Sequence, residues 1–192
     1  MDLAAAAVSE RWQPVLLPPA PPASSDAVRR VLQRNGRRDT APELALRREL
    51  HALGLRFLVD ATPARTSRRR RADVVLRGSR IAVHVHGCFW HRCPEHFHAP
   101  KANADWWQQK FDSIVARDAD TDLQLRAAGW LPVVVWQHED MPSAALGIQE
   151  LHVTRRRRRW AARPELLSPA DQDIVHTAEC PTTQADHSGR PG

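Results

Sequence analysis

Two short apolar runs, ADVVL at 72–76 and IAVHV at 81–85, are separated only by RGSR, and that spacing predicts a β-hairpin. A third apolar run, LPVVVW at 131–136, comes only after a helical stretch over residues 103–128 that Gly129 ends. LRFLVDA at 55–61 reads as one more strand ahead of the hairpin. A helix inserted between strands three and four predicts an α/β fold, a mixed sheet with helices on its faces. Upstream, Thr40 and Glu43 have the spacing of a capping box. Leu46, Leu50 and Leu53 fall on one face of the helix it opens, and Gly54 suits its end. PSAALGIQELHV predicts a last helix, giving the order α-β-β-β-α-β-α within a domain at residues 25–160. Pro14, Pro18, Pro19, Pro21 and Pro22 predict a disordered Pro-rich leader at 1–24. A polar stretch without hydrophobic period predicts a disordered tail at 161–192.

A chain of 192 residues that is 42% hydrophobic holds one domain with a true core. No apolar run approaches the ~20 residues of a membrane helix, and the N-terminus lacks the basic start of a secretory signal. The net charge is +6 and the pI about 10.4, so an anionic partner is expected. Lys101 and Lys110 are the only lysines; every other basic side chain is arginine, which contacts phosphate bidentately and which a GC-rich genome also favours. The tail from Ala161 carries −3, which leaves +9 on residues 1–160. Three cysteines, with Cys180 alone in the tail, make a disulfide framework unexpected and point to the cytoplasm.

The chemistry concentrates in VHGCFWHRCPEH, where Cys88, Cys93 and His96 have C-x4-C-x2-H spacing. His138, just past the strand LPVVVW, offers a fourth ligand for a tetrahedral Cys2His2 zinc site. The competing reading is two reduced thiols among surface imidazoles. Asp73 lies inside an apolar strand, where a carboxylate near the strand end suits Mg²⁺, or else simply faces solvent. Glu43 is accounted for by the capping box alone. His84 and His86 share one face of their strand, and His86 and His91 can carry a proton near neutral pH. Phe89, Trp90, Trp106 and Trp107 either stack on bases or belong to the core. The arginine runs at 68–71 and 155–159 either contact phosphates or are solvated, the second run within reach of the tail.

Together, RRDTAPELALRRELHALGLRF, RADVVL, VHGCFWH, WWQQKF with ARD, and GWLPVVVW resemble the very-short-patch-repair (Vsr) mismatch endonucleases over about residues 26–150. The resemblance implies a restriction-endonuclease-like three-layer fold with a structural zinc loop. It implies an enzyme that nicks duplex DNA 5′ of the thymine in T·G mispairs, the product of 5-methylcytosine deamination, and so starts short-patch repair. Carried onto this chain, Mg²⁺ falls on Asp73 and the Val85 backbone carbonyl, and water activation on His91. Glu43 and His86 fall on supporting active-site positions. Phe89, Trp90 and Trp107 fall on the aromatics that wedge into the duplex, and Cys88, Cys93, His96 and His138 on the zinc ligands. A functional link to a cytosine methyltransferase is implied, and a monomer suits a single nick. The chain departs from the best-known members in having Ala72 for a proline, Cys93 for a histidine and His138 for a cysteine. It also has Gln137 for a glutamate and Ile114 for an asparagine, both expected near the DNA face. The alternatives are a same-superfamily nuclease on unmodified or otherwise damaged DNA, and a non-catalytic mismatch-binding protein.

Overall fold

The computed structural model describes residues 15–34 and 38–162; the expectations for residues 1–14 and 163–192, Cys180 included, lie outside the described residues. The elements are α1 (Asp26–Arg34), α2 (Ala41–Ala52), β1 (Leu58–Ala61), β2 (Ala72–Leu76), β3 (Ile81–His86), α3 (Ala104–Ala127), β4 (Leu131–Trp136) and α4 (Met141–Ala161). The four strands form one sheet in the order β1-β2-β3-β4. β1, β2 and β3 run as an antiparallel meander, with Val74 opposite Val83 in the predicted hairpin. β4 is parallel to β3 because α3 carries the chain back across the sheet before it re-enters.

The sheet is mixed and lies between helices, as its element order predicts. On one face Val74, Leu76, Ile81, Val83 and Val135 pack with Leu46 and Leu50 of α2 and with Met141, Ala145 and Ile148 of α4. On the other, Ala72, Val75 and Ala82 pack with Leu125 of α3 and with Trp130. The alternation of Val74, Val75 and Leu76 between two cores follows from the period-2 geometry of a strand.

Four local details differ from expectation. α1 is an additional helix ahead of the predicted first one, and β1 begins at Leu58 rather than at residue 55. α4 does not stop at Val153 but runs through the arginines at 155–159, which are therefore helical rather than part of a tail. Arginine is a good helix former, and nothing before Ala161 breaks the pattern. The described part of the leader, residues 15–23, has no regular structure yet contacts the fold: Trp106 Nε1 donates to the Pro18 carbonyl at 3.0 Å.

The capping box itself does not form: Thr40 is the N-cap but its side chain caps no backbone N–H. The Glu43 carboxylate accepts from the Asp39 N–H at 3.0 Å and from the Thr40 hydroxyl at 2.9 Å, so it reaches one residue further back than a standard box.

Both glycine stops behave as predicted. Gly54 and Gly129 have φ of +77° and +78°, and each ends its helix in a Schellman motif. Leu55 N–H donates to Leu50 O and Trp130 N–H to Leu125 O, which turns a buried Leu55 and a buried Trp130 into the core. A Cβ at Gly129 would also meet the Arg80 guanidinium at 3.1 Å. Gly129→Ala should therefore cost roughly 1–2 kcal/mol and lower Tm by a few degrees, measured by thermal melting beside the wild type.

Candidate active site

The C-terminal end of β3 is held from both sides. Its parallel ladder with β4 runs from Ile81 opposite Leu131 to His86 opposite Trp136, and the Gln137 N–H continues it onto the His86 carbonyl at 2.9 Å. On the β2 side, Asp73 Oδ2 accepts the Val85 N–H at 2.7 Å. An open cleft of about 860 Å³ lies over this strand end. Its walls include Glu43, Asp73, Val85, His86, Phe89, Trp90 and His91, so seven residues singled out in the sequence meet in one place. Trp107 is outside the cleft wall; it contacts Phe89 and Trp90 with ring centroids 5.3 and 6.0 Å apart.

Asp73 is half-buried, not solvent-facing. Burial pushes its carboxyl up to about 6; the Val85 N–H pulls the other way, and Glu43 adds to the rise. Glu43 is 7% exposed and bonded to Arg47 Nη2 at 2.7 Å, while Arg47 Nη1 reaches Asp39 Oδ1 at 2.5 Å. This arrangement fits a divalent cation: a half-buried carboxylate, a second buried carboxylate nearby and a strand-end backbone are oxygen donors whose mutual repulsion a cation relieves.

The imidazoles are ordered as a set. His86 and His91 stack with centroids 3.8 Å apart, and His84 lies 6.2 Å from His86 on the same strand face. Burial, and then His91, drive His86 down to about 3; burial, opposed by Asp118, drives His84 down to about 4. Both are therefore neutral at pH 7. His91 Nδ1 lies 2.6 Å from Asp118 Oδ2 on α3. Burial works to raise the Asp118 carboxyl, but the His91 hydrogen bond and Arg117, 3.0 Å away, hold it below the usual carboxylate range. An ionised Asp118 accepts from Nδ1–H, which leaves His91 Nε2 as the nitrogen able to accept a proton.

Asp118 was not singled out in the sequence. Its ARD triplet lies on a long helix, and nothing local reveals that residue 118 faces residue 91. The arginine run at 68–71 divides: Arg70 pairs with Asp120, Arg71 with Asp60, and Arg69 and Arg71 line the cleft with Arg38 and Arg117. Gln137 lines the cleft as expected, whereas Ile114 is buried at 8% exposure and does not face it.

Behind the cleft, Cys88, Cys93, His96 and His138 bring their ligand atoms within 4.8 Å of one another. The parallel register does this, since Cys88 and His138 each follow the paired residues His86 and Trp136 by two positions. Cys88 Sγ is 3.1 Å from His138 Nδ1, Cys93 Sγ is 3.6 Å from the same atom, and Cys93 Sγ is 3.8 Å from His96 Nδ1. Tetrahedral zinc with the usual bond lengths sets S···N at about 3.5 Å, so this donor set fits such an ion. Glu95 Oε2 lies 3.6 Å from the remaining His138 nitrogen, a carboxylate where an orienting partner belongs. Glu95 too was not identified from the sequence. Phe89, between these two groups, packs against the buried Phe111 of α3 at 5.2 Å and ties the turn to the helix.

Asp73 makes the metal-free fold pH-sensitive. Its raised carboxyl contributes stability that is present below its ordinary value of 3.8 and lost as pH rises through about 6. His84 and His86, both lowered, act in the opposite sense: their contribution is present above 6.5 and lost as pH falls through about 4 and about 3. Asp73→Asn keeps an acceptor for the Val85 N–H and removes the charge. Without added divalent ions it should raise stability on the order of 1–2 kcal/mol at pH 7.5, roughly 2–8 °C in Tm, and give no gain at pH 4. Melting curves at the two pH values check this.

The family pattern described as DNA mismatch endonuclease Vsr matches residues 24–96, from α1 through the Cys/His turn. The type II nicking enzyme V.NaeI of Lentzea aerocolonigenes is 36% identical over 120 residues, 62% of this chain and 72% of that protein. The type II nicking enzyme V.XorIIP of Xanthomonas oryzae is 35% identical over 120 residues, 60% of this chain and 83% of that protein. The DNA mismatch endonuclease Vsr of Escherichia coli is 34% identical over 101 residues, 52% of this chain and 62% of that protein. With two nicking enzymes each matched at 35% identity or more over more than two thirds of their length, and the family pattern covering the α2, β2 and β3 side of the cleft, the chain belongs to the Vsr family of DNA endonucleases.

Proposed function

We propose that the protein is a Mg²⁺-dependent endonuclease that nicks one strand of duplex DNA on the 5′ side of the thymine in a T·G mispair. The observation that carries this reading is the common cleft of Asp73 and His91, with His91 oriented by Asp118. Asp73 and the Val85 carbonyl would hold Mg²⁺, with Glu43 supporting Asp73 from α2. When bound, the ion neutralises phosphate charge and polarises the oxygens of the scissile diester. His91 Nε2 takes the proton of the attacking water, and the ionised Asp118 stabilises the imidazolium that forms. His86, neutral and stacked on His91, keeps that ring in one orientation. Arg69, Arg71 and Arg117 face the flanking phosphates from the cleft wall.

Phe89, Trp90 and Trp107 form the wedge. Unstacking costs a few kcal/mol and least at a mispair, while stacking on an aromatic ring returns ~1–3 kcal/mol per base. Zinc at Cys88, Cys93, His96 and His138 would stiffen the turn that carries Phe89 and Trp90 of the wedge together with the base, since residues 89–91 are consecutive. The reading includes action as a monomer in the cytoplasm, on nucleoid DNA, and a functional link to a cytosine methyltransferase whose product generates the mispair. No helix among the described residues is long and apolar enough to cross a membrane.

A duplex oligonucleotide with one T·G mispair, run beside its matched control, tests the activity. The expected result is a single nick in the mispaired duplex with Mg²⁺ and none in the control; equal cutting of both points instead to a nuclease of unmodified DNA. Asp73→Ala should lower the rate at least ~10³-fold while duplex binding stays within a few-fold, and Asp118→Asn should lower it roughly 10²–10⁴-fold. Binding without turnover under any divalent ion rejects the enzymatic reading. Elemental analysis should find about one zinc per chain, and Cys88→Ser should lose the zinc and several kcal/mol of stability.

A further inference from the structure

β3 has two ends, and only one is used by the cleft. At the other end the β2–β3 turn at 77–80 and the last turns of α4 come together. Arg155 Nε donates to the Ser79 carbonyl at 2.9 Å, and its Nη2 lies 3.4 Å from the Gly129 carbonyl. Ser79 Oγ lies 3.0 Å from His152 Nδ1. A Cβ at Gly78 would meet the Arg156 side chain at 3.7 Å. These contacts fix the helix end against the turn and bring Arg80, Arg155, Arg156 and Arg158 close together, with the exposed Arg77 on the same β-turn and the exposed Arg157 on the same turn of α4. Neither the turn nor the chain from Leu151 to Ala162 contains a carboxylate. Among the described residues none of these six arginines forms a salt bridge. Arg155 is held below the usual guanidinium range by burial, and then by its like-charged neighbours Arg158 and Arg80.

Favourable interaction of arginine with a helix C-terminus accounts for one or two such side chains in the last turn. It does not account for Arg77 and Arg80 on a separate element, nor for an uncompensated charge of this size. Trp160, 46% exposed and stacked under the Arg156 guanidinium at 4.9 Å, adds an open aromatic face to the patch. A surface of planar guanidinium groups without carboxylates is complementary to a row of phosphates.

We propose that this surface is a second contact for duplex DNA, one that binds the phosphate backbone without reading bases, about 20 Å along the sheet from the cleft. It engages a stretch of duplex other than the one seated over His91. In an enzyme that must find a rare lesion, such a contact keeps the protein on mispair-free DNA between encounters. This goes beyond the proposed reaction and relies only on the chain's membership of a DNA-acting family.

The test is equilibrium binding of the full chain to a long mispair-free duplex over a range of KCl concentrations. Arg157→Gln/Arg158→Gln should make the slope of log K against log salt less steep by about 2, and weaken binding at low salt roughly tenfold or more. Arg77→Gln, on the other element, should reduce the slope by about 1. Thermal melting and single-turnover nicking of a short mispaired duplex at saturating enzyme should match the wild type. Slopes and affinities unchanged in both variants overturn the proposal; that is also the result expected if the acidic segment 163–192 of this chain covers the patch instead. Nicking and binding are read separately, so a wild type that fails to nick counts against the proposed reaction, while the salt slope alone decides the second surface.

Discussion

The parallel pairing of β3 with β4 is the constraint on which the rest of the molecule depends. Six residue pairs in unbroken register need a crossover, and α3 is that crossover. The helix brings Asp118 to His91, packs Phe111 against Phe89, and returns the chain so that His138 emerges beside Cys88. A slip of one residue between the two strands would turn His138 away from the thiols, because side chains alternate between sheet faces. One set of backbone hydrogen bonds thus positions both the cleft and the Cys/His cluster behind it.

The cleft carries electrostatic costs that the core on both sheet faces offsets. A half-buried carboxylate with a raised pKa and two imidazoles kept neutral by burial all favour the uncharged form in the free protein. Arg47, bridging Glu43 and Asp39, compensates on the α2 side, and Arg117 beside Asp118 does so on the α3 side. Groups arranged this way gain most when a cation and a phosphate arrive together, since each supplies the charge that the other group lacks. The same reasoning separates the two ends of β3. At the cleft, arginines are interleaved with carboxylates; at the far end they are not.

Much of this organisation was legible in residue order. The RGSR spacing marked the hairpin, Gly54 and Gly129 marked helix ends, and C-x4-C-x2-H with His138 marked a four-donor cluster that the fold does assemble. Asp73, His86, His91 and Glu43 were recognised through family resemblance more than through spacing, and all of them line one cleft. Thr40 and Glu43 marked the helix start correctly, but the reciprocal cap does not form, because Glu43 is held instead by the Asp39 N–H, the Thr40 hydroxyl and Arg47. The arginines at 155–159, past the last helix expected from the sequence, read either as a phosphate contact or as a solvated run near the tail. They continue α4, and Arg155 also bonds the Ser79 carbonyl, a contact between residues far apart in the chain.

What the sequence determined by itself is whatever is settled within a few residues: period-2 and helical runs, glycine stops, the proximity of Cys88 to Cys93, and the succession of Phe89, Trp90 and His91. Backbone sterics and side-chain alternation act locally, so such features can be read without knowing the fold. Tertiary structure alone decided that Asp118 orients His91, that Glu95 sits beside His138, that Ile114 turns inward, and that Arg80 joins the arginines of α4. Each of these pairings links distant segments through the strand register and the roll of a helix about its axis. Both are set by how the two cores close on the sheet, which no short window of residues encodes.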